Sequence, residues 1–109
     1  LPAKVYFEVG SATIGADGSK TIGAAADTIK KDGLKVAVTG YTDKTGDVAK
    51  NEELAKNRAS AVRDYQSSRG VAMSRVSVQG RGAREPVATN NTDAGRAANR
   101  RVEIFVGQR

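Results

Sequence analysis

The chain contains no cysteine and no histidine, and each absence removes a class of chemistry. Without histidine there is no Ser-His-Asp triad, no Cys-His dyad and no histidine-bound zinc. Without cysteine there are no disulfides, no thiolate nucleophiles and no cysteine-held metal sites. Aromatic residues make up 5% of the chain, which is few for a protein that stacks on nucleic-acid bases. We therefore expect a protein that is not an enzyme and that holds no metal or cofactor.

Long apolar runs are also absent. No stretch approaches the ~20 apolar residues of a membrane-spanning helix, and no signal-peptide pattern opens the chain. The first residues, Leu1-Pro2-Ala3-Lys4, lack an initiator methionine and lead almost directly into a strand-like run. At 109 residues, the length predicts a single domain over residues 1–109. We expect this domain to be excised from a longer protein, with any signal or anchor upstream.

Positive charge is concentrated in the second half of the chain. Residues 1–54 carry seven lysines, no arginine and eight acids, whereas residues 55–109 carry one lysine, ten arginines and four acids. The surplus is therefore almost entirely arginine, whose planar guanidinium binds carboxylates and phosphates with two parallel hydrogen bonds. Composition alone leaves nucleic acid, a membrane surface, the cell wall and an acidic partner open.

Hydrophobic periodicity predicts alternating strands and helices. Each predicted strand has one mainly apolar face, which favours a sheet covered by helices on one side. Ser19 is the expected cap of the first helix, and Asp32-Gly33 its stop. The predicted fold is an α/β (α+β) two-layer sandwich in βαβαβ(α)β order, with a mixed four-stranded sheet whose strand order stays open. The predicted strands are 4–8, 34–41, 76–80 and 101–106, and the helices are 19–31, 51–68 and, as a short helix or turn, 93–99.

Two charged residues stand out from this pattern. Asp43 follows the second strand in a polar loop, and the ends of strands are where open α/β sheets usually place ligand-binding groups. Arg58 lies on the inward stripe of the long helix and needs a carboxylate nearby. Two interpretations stay open. Asp43 and Arg58 form a structural ion pair, or together they bind the ammonium and the carboxylate of one ligand.

Several spaced motifs resemble those of one family. The segment Tyr41–Gly46, followed by Asn51–Ala59, is similar to the T-D-x-x-G…N-x-x-L-S-x-x-R-A signature of the OmpA-like C-terminal domain family. That family includes the periplasmic domains of OmpA, Pal lipoproteins and the MotB stator. The segments Val5–Ala12, Val76–Val87 and Asn90–Ile104 resemble its opening strand, its third strand with the G-x-G…P loop, and its N-x-T…G-R-x-x-N-R-R-V-E-I closing segment. The resemblance covers nearly the whole chain.

The resemblance implies non-covalent binding of peptidoglycan through the diaminopimelate of its stem peptide. Asp43 matches the loop aspartate of the family and would take the ammonium. Arg58 matches the helix arginine and would take the carboxylate, which a guanidinium binds bidentately and a lysine does not.

The resemblance assigns further residues to the same site. Asn51 matches the loop asparagine and would bond the ligand or fix the loop. Thr42, Gly46 and Leu54 would shape the pocket, with backbone amides near Thr42 and Gly46 as donors. Arg100 matches the first arginine of N-R-R and would add a second carboxylate contact. The alternative for Arg100 is a structural role at the start of a strand.

The chain departs from the family pattern at a few positions. Glu8 and Ala55 replace the usual aspartate and serine. Gly10 stands where an asparagine can sit near the ligand, which puts one polar contact in doubt. Gln66 replaces a leucine, so that end of the helix is expected to be more exposed or more tightly associated with another group.

The resemblance also implies a location and partners. We expect the periplasm of a diderm bacterium, with attachment to the outer membrane, or less commonly the inner membrane, through an upstream region. A homodimer or an envelope-protein partner stays open. One alternative function is a basic nucleic-acid-binding domain, which the arginine surplus suggests but the scarcity of aromatic residues opposes. The other is a small hydrolase, which the absence of histidine and cysteine disfavours.

Overall fold

The structure is a computed structural model that describes residues 2–32 and 35–107. Strands and helices alternate along this part of the chain, as the sequence predicts, and the segment before the last strand is a short α-helix. A 3₁₀ turn over Met73–Arg75 precedes the third strand. The elements are β1 (Pro2–Tyr6), α1 (Ala16–Asp32), β2 (Lys35–Gly40), α2 (Val48–Ser68), β3 (Val76–Gly80), α3 (Asp93–Asn99) and β4 (Arg101–Gly107).

The four strands form one mixed sheet in the order β1-β4-β2-β3. Strands β2 and β3 are parallel and are joined through α2, whereas β4 lies between β1 and β2 and is antiparallel to both. The mixed four-stranded sheet of the sequence prediction is therefore confirmed. The insertion of β4 between the first two strands could not be read from periodicity.

The helices α1 and α2 cover one face of this sheet. Helix α1 packs on β1, and α2 packs on β2 and β3. On the opposite face, Tyr6 and Phe105 are about half exposed. No helix among the described residues has the length and apolar character that a membrane span needs. The core between the layers consists of Val5, Phe7, Ile22, Ala26, Ile29, Val36, Val38, Ala59, Val62, Val71, Val102 and Ile104.

Two glycines let the backbone of α2 rest directly on the ends of the parallel strands. A Cβ on Gly40 would lie 1.9 Å from the carbonyl oxygen of Ala55, and one on Gly80 would lie 2.6 Å from the amide nitrogen of Lys56. Because these neighbours are backbone atoms of a helix, they cannot move aside cheaply. This close approach brings Arg58, one turn further along α2, against the end of β2.

The two long helices begin three residues earlier than the sequence predicts. The amide of Ser19 donates to the carbonyl of Gly15, so Ser19 lies inside the first turn of α1 and is not its cap. The carboxylate of Asp47 accepts a hydrogen bond from the amide of Lys50 and caps α2 instead. The predicted stop at Gly33 and the predicted strand start at Leu34 lie outside the described residues.

The first strand also differs from its prediction, since β1 ends at Tyr6 and not at Glu8. The amide of Phe7 still donates to the carbonyl of Arg100, but the chain then turns, with Ser11 donating to the carbonyl of Glu8 and Gly10 at a φ of +66°. This turn is what brings the carbonyls of residues 8 and 11 toward α2.

Gln66 is fully buried on α2, so the expectation of greater exposure was wrong. Neither its amide nitrogen nor its amide oxygen has a hydrogen-bond partner among the residues that the structure describes. A buried amide without partners lowers stability, because it loses its bonds to water and gains none in the fold.

Candidate ligand-binding site

The loops that follow the two parallel strands meet at one edge of the sheet. The amide of Thr42 donates to the carbonyl of Gly82 over 2.8 Å, and the amide of Arg81 donates to the carbonyl of Gly40 over 2.9 Å. Further along, the amide of Lys44 donates to the side chain of Asn90 over 3.2 Å. The loop after β2, which carries Asp43, is therefore fixed against the long loop before α3.

Asp43 lies in this loop with only 6% of its surface exposed. Its Oδ1 accepts a hydrogen bond of 2.9 Å from the amide of Thr45, and its Oδ2 lies 3.1 Å from Nη1 of Arg100. Burial by itself raises the pKa of Asp43, but the hydrogen bonds from Thr45 and Arg100 outweigh it and lower the pKa from its ordinary value. Asp43 is therefore a carboxylate at neutral pH.

Arg58 is completely enclosed by the chain. Its guanidinium donates three hydrogen bonds to backbone carbonyls: Nε to Ser11 over 2.8 Å, Nη1 to Tyr41 over 3.0 Å and Nη2 to Glu8 over 2.9 Å. It also lies over the ring of Phe7, with 5.3 Å between the guanidinium carbon and the ring centroid. A guanidinium has five N–H donors, so two of them remain for other groups.

The interpretation of Asp43 and Arg58 as a direct structural ion pair was wrong. No contact within 4.0 Å joins the charged atoms of Asp43 and Arg58 in the described part of the chain. Asp43 forms an ion pair with Arg100 instead. The charges still act on one another. Burial, with a smaller contribution from the positive charge of Arg100, lowers the pKa of Arg58 to about 10, and the charge of Asp43 opposes this change. Arg58 stays protonated at neutral pH.

Arg100 connects this cluster to the end of β1. Its Nε donates to the carbonyl of Phe7 over 2.9 Å, while its Nη1 contacts Asp43. The side chain is 13% exposed, in contrast to Arg58. Two guanidiniums and one carboxylate thus share a nearly enclosed region with a formal charge of +1, which attracts a further carboxylate.

The structure gives less direct support to the other site residues that were predicted from the sequence. Thr42 is buried, and its hydroxyl has no hydrogen-bond partner within residues 2–32 and 35–107. Its amide donates to the carbonyl of Gly82 and is not a free donor. Gly46 is exposed at a φ of +89°. Asn51 lies in the first turn of α2, not in the loop, and Leu54 lies one turn further on, both half-buried. No hydrogen bond ties Gly46, Asn51 or Leu54 to Asp43 or Arg100 among the described residues.

Two neighbours of Arg100 stabilise the surrounding loops, and the sequence reasoning gave neither a role. Asn99 is fully buried, and its side chain bonds the backbone of Val87 and Ala88 over 2.9 to 3.0 Å. Arg101 stacks 3.7 Å above the ring of Tyr41 and donates to the carbonyl of Glu85. The signal was present as three adjacent polar residues at the start of a predicted core strand.

A groove of about 910 Å³ lies beside this cluster. One wall is β1 with the residues that follow it, and the other is the beginning of α1. Arg100, Tyr6, Thr13 and Asp17 are among the residues that line the groove. Arg100 therefore borders both the groove and Asp43, which is the only carboxylate that it contacts in the described residues.

Comparison with known proteins identifies a matching family and several sequence relatives. Residues 6–100 match the model of the OmpA family. The chain is 40% identical over 105 residues to the probable lipoprotein YiaD of Escherichia coli, covering 95% of this chain and 48% of that protein. It is 41% identical over 105 residues to the peptidoglycan-binding protein ArfA of Mycobacterium tuberculosis, covering 89% of this chain and 32% of that protein. The chain thus spans half or less of these two relatives.

A solved structure shares the fold over almost its full length. The peptidoglycan-associated lipoprotein of Burkholderia pseudomallei superposes with a TM-score of 0.91 at 28% identity, covering 95% of this chain and 89% of that one. The family match, the sequence relatives and this superposition agree with the sheet order and helix placement described above. The chain belongs to the OmpA family.

Proposed function

We propose that this chain binds peptidoglycan non-covalently, through the diaminopimelate of the stem peptide, and that it binds without cleaving. The family membership, the relative named as peptidoglycan-binding and the similarity to a peptidoglycan-associated lipoprotein support the coarser part of this proposal. The observation that carries the finer part is Asp43, a nearly buried carboxylate that lies between a loop amide and an arginine.

The far end of diaminopimelate carries an ammonium and a carboxylate on one carbon, and both have partners here. Asp43 accepts the ammonium, because its lowered pKa keeps it ionised at neutral pH. The carboxylate is attracted by the surplus positive charge of Arg58 and Arg100. In the family pattern the helix arginine, Arg58, takes the carboxylate; because Arg58 is completely enclosed in this structure, a direct contact requires the residues around it to open. Thr42, Gly46, Asn51 and Leu54 complete the proposed pocket.

The same proposal gives the chain a place in the cell. A module that holds peptidoglycan would anchor an envelope protein to the wall, and a periplasmic location with outer-membrane attachment through a region outside this chain fits relatives named as lipoproteins. We also propose an envelope-protein partner or a homodimer for this chain.

The arginine surplus gives little support to the nucleic-acid alternative. Arg58 and Arg101 are almost completely buried, and Arg63, Arg81 and Arg96 each contact a carboxylate. Phosphate binding needs exposed and unpaired cations, and it gives an affinity that falls steeply with salt. We expect no salt-dependent retardation of DNA or RNA by this chain in gel-shift experiments.

Calorimetric titration with a diaminopimelate-containing stem peptide tests the proposal. We expect Asp43→Asn, which removes the charge at nearly constant shape, to weaken binding by about tenfold to a hundredfold. The matched control is Asp64→Asn on the outer side of α2, where the carboxylate is 60% exposed and its only ion pair among the described residues is with Arg63. Absence of binding by the wild type, or equal affinities for Asp43→Asn and the control, would contradict the proposal.

A further inference from the structure

The half-buried side chain of Asn90 connects the loop of Asp43 to helix α3. Its Oδ1 accepts two hydrogen bonds, one of 3.2 Å from the amide of Lys44 and one of 2.9 Å from Nδ2 of Asn99. Its carbonyl accepts a third, of 2.8 Å from Nη1 of Arg96. Because Asn99 is fully buried and Arg96 lies on the same helix, Asn90 is held by a fixed element. The sequence reasoning assigned Asn90 no role in the site.

The tip of the Asp43 loop, residues 44–46, has few other contacts that fix it. All three residues are exposed, and Gly46 has a φ of +89°. The amide of Thr45 bonds back to Asp43, inside the same loop. Within residues 2–32 and 35–107, the hydrogen bond from the amide of Lys44 to Asn90 is the only one that joins the tip to a distant segment. The position of the tip therefore depends on Asn90.

The backbone of Lys44 lies between Asp43 and Thr45, so fixing its amide fixes the contact between these two neighbours. That contact is the hydrogen bond of 2.9 Å from the amide of Thr45 to Oδ1 of Asp43. Burial raises the pKa of Asp43, and the amide of Thr45 is the largest of the contributions that lower it, ahead of Arg100. A rotation of the Lys44 backbone would carry that amide away from the carboxylate.

We propose that Asn90 is a positioning residue of the binding site and acts on Asp43 through the loop tip. Its side-chain oxygen fixes the amide of Lys44, and the next amide, that of Thr45, then stays on the carboxylate. Asn90 needs no contact with the ligand for this role. The proposal rests on the proposed function, because the carboxylate that Asn90 positions is the one assigned to the ligand ammonium.

Removing the acceptor in Asn90→Ala tests this role by three measurements. We expect the amide of Lys44 to exchange with solvent deuterium faster, by about tenfold or more. The pKa of Asp43, followed by NMR of its carboxyl carbon, should rise toward its ordinary value, and only in part, because the charges that face it, Arg100 and Arg58, are unchanged. The stem peptide should bind about threefold to tenfold more weakly, as expected for one lost neutral hydrogen bond.

Two further substitutions at position 90 and one control keep the test decisive. Asn90→Asp keeps an oxygen that can accept from Lys44, so protection of that amide and the affinity should stay closer to the wild type than in Asn90→Ala. If Asn90→Ala does not fold, Asn90→Leu, which has a similar branched shape without an acceptor, takes its place in all three measurements. The matched control is Asn91→Ala, because Asn91 is exposed and its side chain makes no hydrogen bond among the described residues. It should leave all three measurements unchanged.

The measurements separate this inference from the proposed function. Exchange at Lys44 and the pKa of Asp43 are measured without ligand, so they decide how Asp43 is positioned even if the wild type binds no stem peptide and the proposed function fails. If Asn90→Ala lowers the free energy of unfolding but leaves the pKa of Asp43 as it is in Asn91→Ala, Asn90 only stabilises the fold and the inference is refuted. Faster exchange, a raised pKa and weaker binding, with protection recovered in Asn90→Asp, support it.

Discussion

The enclosed guanidinium of Arg58 leads to a prediction about stability. The change Arg58→Ala removes all three hydrogen bonds that join α2 to the carbonyls of Glu8, Ser11 and Tyr41. It also leaves a cavity beside Phe7 that an alanine side chain cannot fill. The loop after β1 and the end of β2 are thus both released from the helix by a single substitution.

The expected loss can be worked from these contacts. Hydrogen bonds to a charged group contribute roughly 1.5–3 kcal/mol each. Three such bonds do not add fully, because the carbonyls regain water when the loop opens and because the burial of a cation has its own cost. We therefore expect a loss of about 3–5 kcal/mol in the free energy of unfolding. That is a large part of the roughly 5–15 kcal/mol by which a single domain is stable.

Urea unfolding of the wild type, Arg58→Ala and Asp43→Asn measures this effect. Asp43 makes two contacts at the rim of the same region, so we expect Asp43→Asn to lose only about 1–2 kcal/mol. Both variants are expected to bind the stem peptide more weakly than the wild type, but only Arg58→Ala loses a large part of its stability. If the unfolding free energy of Arg58→Ala stays within about 0.5 kcal/mol of the wild type, Arg58 is not the structural anchor described here.

Three further predictions concern single positions. Gln66→Leu removes two buried polar atoms that lack hydrogen-bond partners among the described residues, so calorimetry should show an increase of about 1–2 kcal/mol in the unfolding free energy. A decrease would show that the Gln66 amide has a hydrogen-bond partner. Gly40→Ala should destabilise the fold by more than about 2 kcal/mol, because the added Cβ would collide with the carbonyl of Ala55. In the control Gly15→Ala the added Cβ meets open space, so the loss in unfolding free energy should be less than about 1 kcal/mol. The pKa of Asp43 is lowered from 3.8, so Asp43 contributes stability above that pH that is lost as the pH falls through its folded pKa. Urea unfolding between pH 6 and pH 2 should therefore show a shallower acid decline for Asp43→Asn, and an unchanged decline would contradict the lowered pKa.

The sequence predicted the parts of this fold that depend on local pattern. Alternating apolar residues located all four strands, and a 3.6-residue period located α1 and α2. Their beginnings were misplaced because a helix start depends on which polar group meets the first free amides. Asp47 takes that role for α2, and Ser19 does not take it for α1. A pattern of apolar residues carries no information on that choice.

The sequence singled out residues for the candidate site but did not predict which of them contact each other. Asp43 and Arg58 stand out because a charged residue beside a strand end or on an inward helix face needs a partner. The partner of each differs from the simplest expectation, since Asp43 contacts Arg100, while the hydrogen bonds of Arg58 in the described part of the chain go to backbone carbonyls. Arg100 is 57 residues from Asp43 along the chain. Only the placement of β4 beside β2 brings them together.

The sequence by itself determined the element types, the single mixed layer of strands under helices, the exclusion of histidine and cysteine chemistry, and the family to which the motifs point. The first three follow from composition and periodicity, which are local properties of the chain, and the family follows from the resemblance of the motifs to a known signature. The tertiary structure decided the order of the strands, the burial of Gln66 and the division of roles between Arg58 and Arg100. Those depend on which distant segments share a surface, because a buried charge is stabilised by whatever oxygen atoms the fold brings within hydrogen-bond distance.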